Sequence, residues 1–368
     1  MKLRFICAFL WLFLPLQVFA QRDLTRYVNP FIGTAGHGHT FPGAIVPFGM
    51  VQLSPDTRLS GWDGCSGYHY SDSQIYGFSH THLSGTGISD YGDILLMPAV
   101  GQPFLDPRLL EPYSTHFQHR NEIATPGYYS VKLDDHILVE LTATAHVGMH
   151  RYTFTRTNDA NILIDLEHRD KVIDFDYRIT GKTTLVGWRR SQAWAKDQIV
   201  YFAVEFSRPF TAYTTIGGED RRGRTLKISF RFDIPSTLPV LVKVGISSVD
   251  IDGALRNLHA EVNHWDFDKV RSDAAAAWNA ELNKIQVTGG SEAQLTNFYT
   301  ALYHAMTAPN LFMDVDGRYR GRDFKTHVAD GFSNYTVFSL WDTFRAAHPL
   351  YTIIDQKRTR DFIKTFLV

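Results

Sequence analysis

One-sided charge is what this 368-residue sequence most plainly lacks: 37 lysines and arginines stand against 38 aspartates and glutamates. Such a balance gives no field to draw in nucleic acid or an anionic membrane, so neither is expected as a partner. Cysteine is almost absent, with only Cys7 and Cys65. Long apolar runs are missing after the first twenty residues, and nothing later approaches the roughly 20 residues that a membrane span needs. There is no internal repeat and no low-complexity tract.

The first twenty residues differ from the rest. Lys2 and Arg4 precede the apolar run Phe5 to Leu16, and Val18-Phe19-Ala20 offers a small-residue cleavage site, which is the pattern of a secretory signal. Residues 1–20 are therefore read as a signal peptide and the localisation as periplasmic or secreted, with no membrane attachment after cleavage. Cys7 lies inside the apolar run, so a lipid anchor at a cysteine following it is not supported. Cleavage leaves Cys65 alone, no internal disulfide can form, and stability must come from a large core.

What is present in quantity is aromatic surface, 14% of residues, which suits sugar stacking or, more simply, a large β core. From Tyr27 to about Gly101 the chain is crowded with Gly, Pro, His, Ser and Asp and alternates weakly, as long functional loops do. From Tyr128 to Val249 short β-branched and aromatic runs repeat with period two, among them Leu138 to Thr142, Asn161 to Asp165, Ile199 to Val204 and Leu226 to Phe230. They predict a mostly β architecture, an N-terminal antiparallel β-sandwich.

A helical section follows. Phe267, Val270, Ala274, Trp278, Leu282 and Ile285 recur at spacings of three and four. Ser291 can cap a second helix with Leu295, Phe298, Tyr299, Leu302 and Met306 on its buried side, ended by Pro309. Asp316-Gly317, between Phe312 to Val315 and Arg318 to Arg320, reads as a hairpin turn. Ser339 opens another helix, and Pro349 begins a last pattern through Ile353, Ile354, Phe362 and Phe366 that stops uncapped at Val368. Its apolar face has nothing left in sequence to pack on, so truncation is the expectation.

The most specific strings lie between Tyr27 and Asp93. They are Val28-Asn29-Pro30-Phe31-Ile32-Gly33-Thr34, His37-Gly38-His39-Thr40-Phe41-Pro42-Gly43-Ala44, Val46 to Asp56, Gly61-Trp62-Asp63-Gly64-Cys65-Ser66-Gly67-Tyr68-His69-Tyr70, and Gly77-Phe78-Ser79-His80-Thr81-His82-Leu83-Ser84-Gly85-Thr86-Gly87. With Leu302-Tyr303-His304 and Ser339-Leu340-Trp341-Asp342-Thr343-Phe344-Arg345, in this order, the chain resembles glycoside hydrolase family 92, the calcium-dependent inverting exo-α-mannosidases.

The resemblance implies a β-sandwich joined by linker helices to an (α/α)6 barrel, here at its truncated start. The domains expected are 21–265 for the sandwich, 266–310 for the helical linker and 311–368 for the start of the catalytic barrel. It also implies removal of terminal mannose from N-glycans or mannan, with mannose-terminated glycans as partners. Calcium is implied as cofactor, its ligands expected mainly in the missing C-terminal part. The carboxylates acting as general acid and base belong to that barrel too, so no catalytic residue is assigned, and this chain alone is expected to lack activity.

The sugar contacts expected are Trp62, Asp63, Cys65, His69, His80, His82, Trp341, Asp342 and Arg345. An indole can stack on a sugar face and a carboxylate can hold adjacent hydroxyls; equally, Trp62 could plug the sandwich end, and Asp342 could simply pair with Arg345 three residues on. His37-Gly38-His39 and His80-Thr81-His82 have metal-ligand spacing, yet such pairs are more often hydrogen-bonded structure, and the sequence fixes no acidic partner. Two alternatives stand beside the mannosidase: a non-catalytic carbohydrate-binding module, and a Cys-dependent N-glycan amidase using Cys65 with His69, His80 and Asp63.

Overall fold

The computed structural model describes residues 22–101, 113–155, 159–220, 222–234 and 238–368. The signal peptide expected at 1–20 lies outside the described residues. Two antiparallel sheets face each other across one apolar core. The first, edge to edge, runs Ala44–Ile45, Gln52–Asp56, Gly77–Ser79, Leu95–Val100, Ala160–Asp165, Lys227–Phe232 and Ala212–Ile216. The second runs Lys171–Thr180, Thr184–Gln192, Gln198–Phe206, Val240–Ser247, Val147–Thr153, Leu138–Ala143, Tyr128–Leu133, Thr115–Thr125 and Gln74–Ile75. Leu53, Leu96, Ile162 and Phe230 from one meet Val131, Val139, Val204 and Val244 from the other. All four sample runs of the sequence reading are strands, in the sandwich expected of them.

The loop-like stretch from Tyr27 to Gly101 does more than was expected of it. Four strands of the first sheet come from there. They escape a pattern search because Gln52–Asp56 and Gly77–Ser79 are buried at every position, so no polar face exists to alternate with.

Helix α1 (Ile251–Glu261) falls inside the stretch assigned to the sandwich. Asp250 caps it by accepting from the Gly253 amide. Its Ala254 and Leu258 lie on the outer face of the second sheet beside Val147, Met149 and Ala203. The helix comes so close that a Cβ on Gly245 would stand 2.6 Å from the Ala254 carbonyl oxygen. Helix α2 (Phe267–Leu282) buries Phe267, Val270, Ala274, Trp278 and Leu282, the stripe read from the sequence. Helix α3 (Glu292–Ala305) opens with a reciprocal capping box between Ser291 and Gln294.

A second core joins α2 and α3 to the N-terminal loops through Leu24, Val28, Phe41, Ile45, Trp278, Tyr299 and Tyr303. Trp278 is its post: it is fully buried, its Nε1 donates to the Ile45 carbonyl at 2.6 Å, and its ring lies 4.3 Å from that of Tyr303. Truncating such a tryptophan costs about 3–5 kcal/mol in a typical core.

Two local expectations are corrected. Asp316-Gly317 does turn, and Asp314 N donates back across it to the Arg318 carbonyl at 2.7 Å, but the strand ladder of Arg318–Arg320 is made forward with Thr326–Val328. The final helical pattern is two helices, α5 (Ala347–Ile354) and α6 (Gln356–Leu367), after a short α4 (Leu340–Thr343). Asp355 ends α5 and caps α6. The face said to have nothing to pack on is split: Phe362 is buried against Phe48, Tyr335 and Tyr351, whereas Ile353 is 78% exposed.

Candidate functional site

The loop carrying His37 and His39 is fixed at both flanks. Asn29 N donates to Thr300 Oγ1 at 3.0 Å, and the ring of His304 bonds the Ile32 carbonyl at 2.9 Å, so α3 holds its entrance. Thr40 N donates to the Gly33 carbonyl at 3.3 Å, closing the loop on itself. Gly38 is required there, since a Cβ would lie 2.1 Å from the Gly33 oxygen. His39 takes a left-handed φ of 52°, an unusual state for a non-glycine residue, and its ring turns inward to 7% exposure.

Opposite this loop stands the 3-10 turn Trp62–Gly64. From behind, Arg169 Nη2 donates to the carbonyls of Gly64 and Cys65, each at 2.6 Å. Gly67, at φ +83°, leaves room beneath: a Cβ there would meet Asp56 Oδ1, Arg169 Nη1 and the His82 ring. The two loops meet at Asp63. Its Oδ1 lies 2.7 Å from His37 Nδ1 and 3.6 Å from His39 Nε2, and the hydrogen bond from His37 holds the Asp63 carboxyl below the usual carboxylate range. Trp62 is 57% exposed and packs against both imidazoles, with centroids 5.0 and 4.4 Å away.

Beneath the turn, a fully buried network carries the rest. His82 Nδ1 bonds the Gln52 carbonyl at 2.7 Å and its Nε2 lies 3.1 Å from Asp56 Oδ1. Burial alone would push the Asp56 carboxyl up, but His82 and His168 beside it hold it far below the usual range. His80 bonds the Ile94 carbonyl at 2.7 Å and the ring of His150 at 3.0 Å, and burial pushes its imidazole down to about 4.

Burial corrects part of the expected contact set. His80 and His82 were the favoured histidine contacts, yet neither has surface to offer and both are tied into the interior. His69 is buried too, its ring nitrogens engaged by Ser71 and the Gly36 carbonyl. Cys65 is buried beneath the turn, and burial raises its thiol pKa. Among the described residues no histidine hydrogen-bonds its sulfur, so the amidase arrangement is not assembled. Trp62 and Asp63 remain at the surface.

The second expected group is open but separate. Trp341 is 84% exposed, Asp342 accepts from Ser339 Oγ at 2.5 Å, and Arg345 lies over the Phe344 ring. Asp342 and Arg345 are both exposed on their surface side. Among the described residues no hydrogen bond, ion pair or ring contact joins this group to Trp62. A cavity of about 340 Å³ lined by Tyr319, Phe332, Lys364 and Val368 shares no residue with either group. Arg169, which clamps the turn, was not singled out from sequence, its signal being the charged run Glu167 to Asp170 directly after an apolar strand, and Asp56 stood only as the last residue of the string Val46 to Asp56.

The comparisons with known proteins agree with one another. The profile of the glycosyl hydrolase family 92 N-terminal domain matches residues 27–247, and that of the family's catalytic domain matches residues 253–368. The chain belongs to glycosyl hydrolase family 92. A solved family 92 α-mannosidase from Bacteroides thetaiotaomicron, also solved in complex with mannoimidazole, is 36% identical with TM-score 0.87; the match covers 94% of this chain and 49% of that one. An inverting family 92 mannosidase from the same organism is 27% identical with TM-score 0.81, over 94% of this chain and 48% of that one. An uncharacterised secreted glycosidase from Arthroderma benhamiae is 29% identical over 332 residues, covering 78% of this chain and 42% of that protein. The chain thus spans about half the length of these relatives.

Proposed function

We propose that this chain forms the sugar-gripping part of an exo-acting α-mannosidase that removes terminal mannose from N-glycans or mannan with inversion. The observation that carries the reading is the match over 94% of the chain to an α-mannosidase that binds mannoimidazole, together with an indole and a carboxylate left open on one fixed turn. Trp62 stacks on the sugar face and Asp63 accepts from its hydroxyls. Trp341 and Asp342 on α4, with Arg345 in the turn just after it, form a second wall, and α4 to α6 begin an (α/α)6 barrel. An inverting glycosidase needs two carboxyl groups about 6.5–9.5 Å apart with water between base and anomeric carbon, and we assign neither to this chain.

Calcium belongs to the same proposal. The donors that converge among the described residues are two imidazoles and one carboxylate, a poor match to an ion that takes 6–8 oxygens, so no step is derived through it here. Secretion or periplasmic residence is supported by the secreted Arthroderma benhamiae relative, and among the described residues no helix is long and apolar enough to cross a membrane. The test is mannose release from α-linked mannobiosides by protein made from the complete reading frame. Release of α- but not β-linked mannose, lost on EDTA treatment and regained with calcium, is expected. Absence of release with calcium present, alongside sugar binding by calorimetry, would instead favour the binding-module reading.

A further inference from the structure

We propose that His37, His39 and Asp63 form a binding site for a divalent transition ion of the zinc class. Their ligand atoms lie within 4.8 Å of one another. Ligands on a tetrahedral ion with bonds of about 2.0–2.1 Å stand roughly 3.3 Å apart. The Asp63 Oδ1 separations of 2.7 Å to His37 Nδ1 and 3.6 Å to His39 Nε2 straddle that value.

A second observation points to a ligand independently of those distances. His39 is 7% exposed, and its buried Nε2 has no hydrogen-bond partner. A buried polar atom left so is a net cost to the fold, and this one faces the Asp63 carboxylate. The same chain spends backbone strain to put it there: His39 is left-handed, and Gly38 lies against the Gly33 backbone. Trp62 flanks both rings and limits their swing. The other His-x-His pair has no such vacancy, because His80 and His82 are hydrogen-bonded in the interior.

Two imidazole nitrogens and one carboxylate oxygen suit zinc and its neighbours and not calcium or magnesium, which take oxygen. Three protein ligands leave a fourth position open to water or an incoming hydroxyl, and here that position faces solvent, since the His37 side chain is largely exposed. An ion there occupies the carboxylate that the proposed sugar contact uses. The site itself stands whether or not the mannosidase reading does, because binding is read without catalysis.

The experiment is calorimetric titration of the untagged, chelator-stripped chain with zinc sulfate at pH 7.5. One ion per chain is expected, undisturbed by a hundredfold excess of calcium. His37→Ala, at an exposed position that leaves the fold intact, and Asp63→Asn should each weaken binding at least about tenfold. No heat of binding, or a single site unaffected by both substitutions when circular dichroism shows them folded, overturns the proposal.

Discussion

His37-Gly38-His39 and His80-Thr81-His82 share one spacing and live in opposite surroundings. The first pair rides a closed surface loop and meets Asp63 across a gap, with one ring nitrogen unpartnered. The second is sealed inside the sandwich, where Gln52, Asp56, Ile94 and His150 take up its ring atoms. The difference comes from the backbone on either side. Ser79 ends a strand, so His80 and His82 enter the sheet interior, whereas glycines at 33, 36 and 38 carry the backbone of the other pair round a surface loop that leaves His37 exposed and His39 turned in. A histidine motif therefore says little until its backbone path is known, and the two environments call for different experiments.

The largest effect is expected beneath the turn. Asp56→Ala removes the carboxylate that Ser79 and His82 address and that lies 3.9 Å from Arg169 Nη1. Breaking a buried charged network of this kind costs about 3–5 kcal/mol, to be read as a shift in the urea midpoint; a loss below about 1 kcal/mol would mean that the buried pair is not held by this network.

Next comes acid. The folded His80 imidazole sits near 4 while the unfolded one is near 6.5. Between those values the unfolded chain binds the extra proton, so stability falls as pH drops through that window, by up to about 3 kcal/mol from this residue. The contribution is fully present above pH 6.5 and gone near pH 4. The slope of stability against pH over this range should be shallower in a His80→Asn variant than in the wild type, and equal slopes would place the His80 ring outside the interior.

A smaller change is expected for Arg169→Leu, which strips two donors from the Gly64 and Cys65 carbonyls. A loss of about 1–3 kcal/mol should come with faster amide exchange at Trp62 to Cys65, and unchanged exchange would free the turn from this clamp. The smallest belongs to the open pair: His37→Ala should move stability by no more than about 0.5 kcal/mol, and a larger loss in thermal melts would bring that loop into the structural core.

Much of this arrangement was legible from residue patterns. The alternation at Ile199 to Val204 and the stripe through Phe267, Val270, Ala274 and Trp278 fix strand and helix because one face of each meets solvent. Where both faces are buried, as at Gln52–Asp56, that contrast vanishes and the strand reads as loop. Helix α1 was overlooked although Asp250 caps it and Ile251, Leu255, Leu258 and Val262 recur at its period, because strong strand patterns run directly up to it. At the site, Trp62 and Asp63 were readable from a glycine-rich turn. The inward turn of His39 and the Arg169 clamp were not, since each depends on contacts between segments far apart in sequence.

Whether the Trp62 turn faces the sugar is tested most directly by kcat/KM on an α-linked mannobioside for Trp62→Ala against the parent protein, both made from the complete reading frame. Loss of a stacking face is expected to lower kcat/KM at least about tenfold while thermal stability stays unchanged, because the indole is largely exposed. An unaltered kcat/KM would contradict the placement of the sugar on this turn.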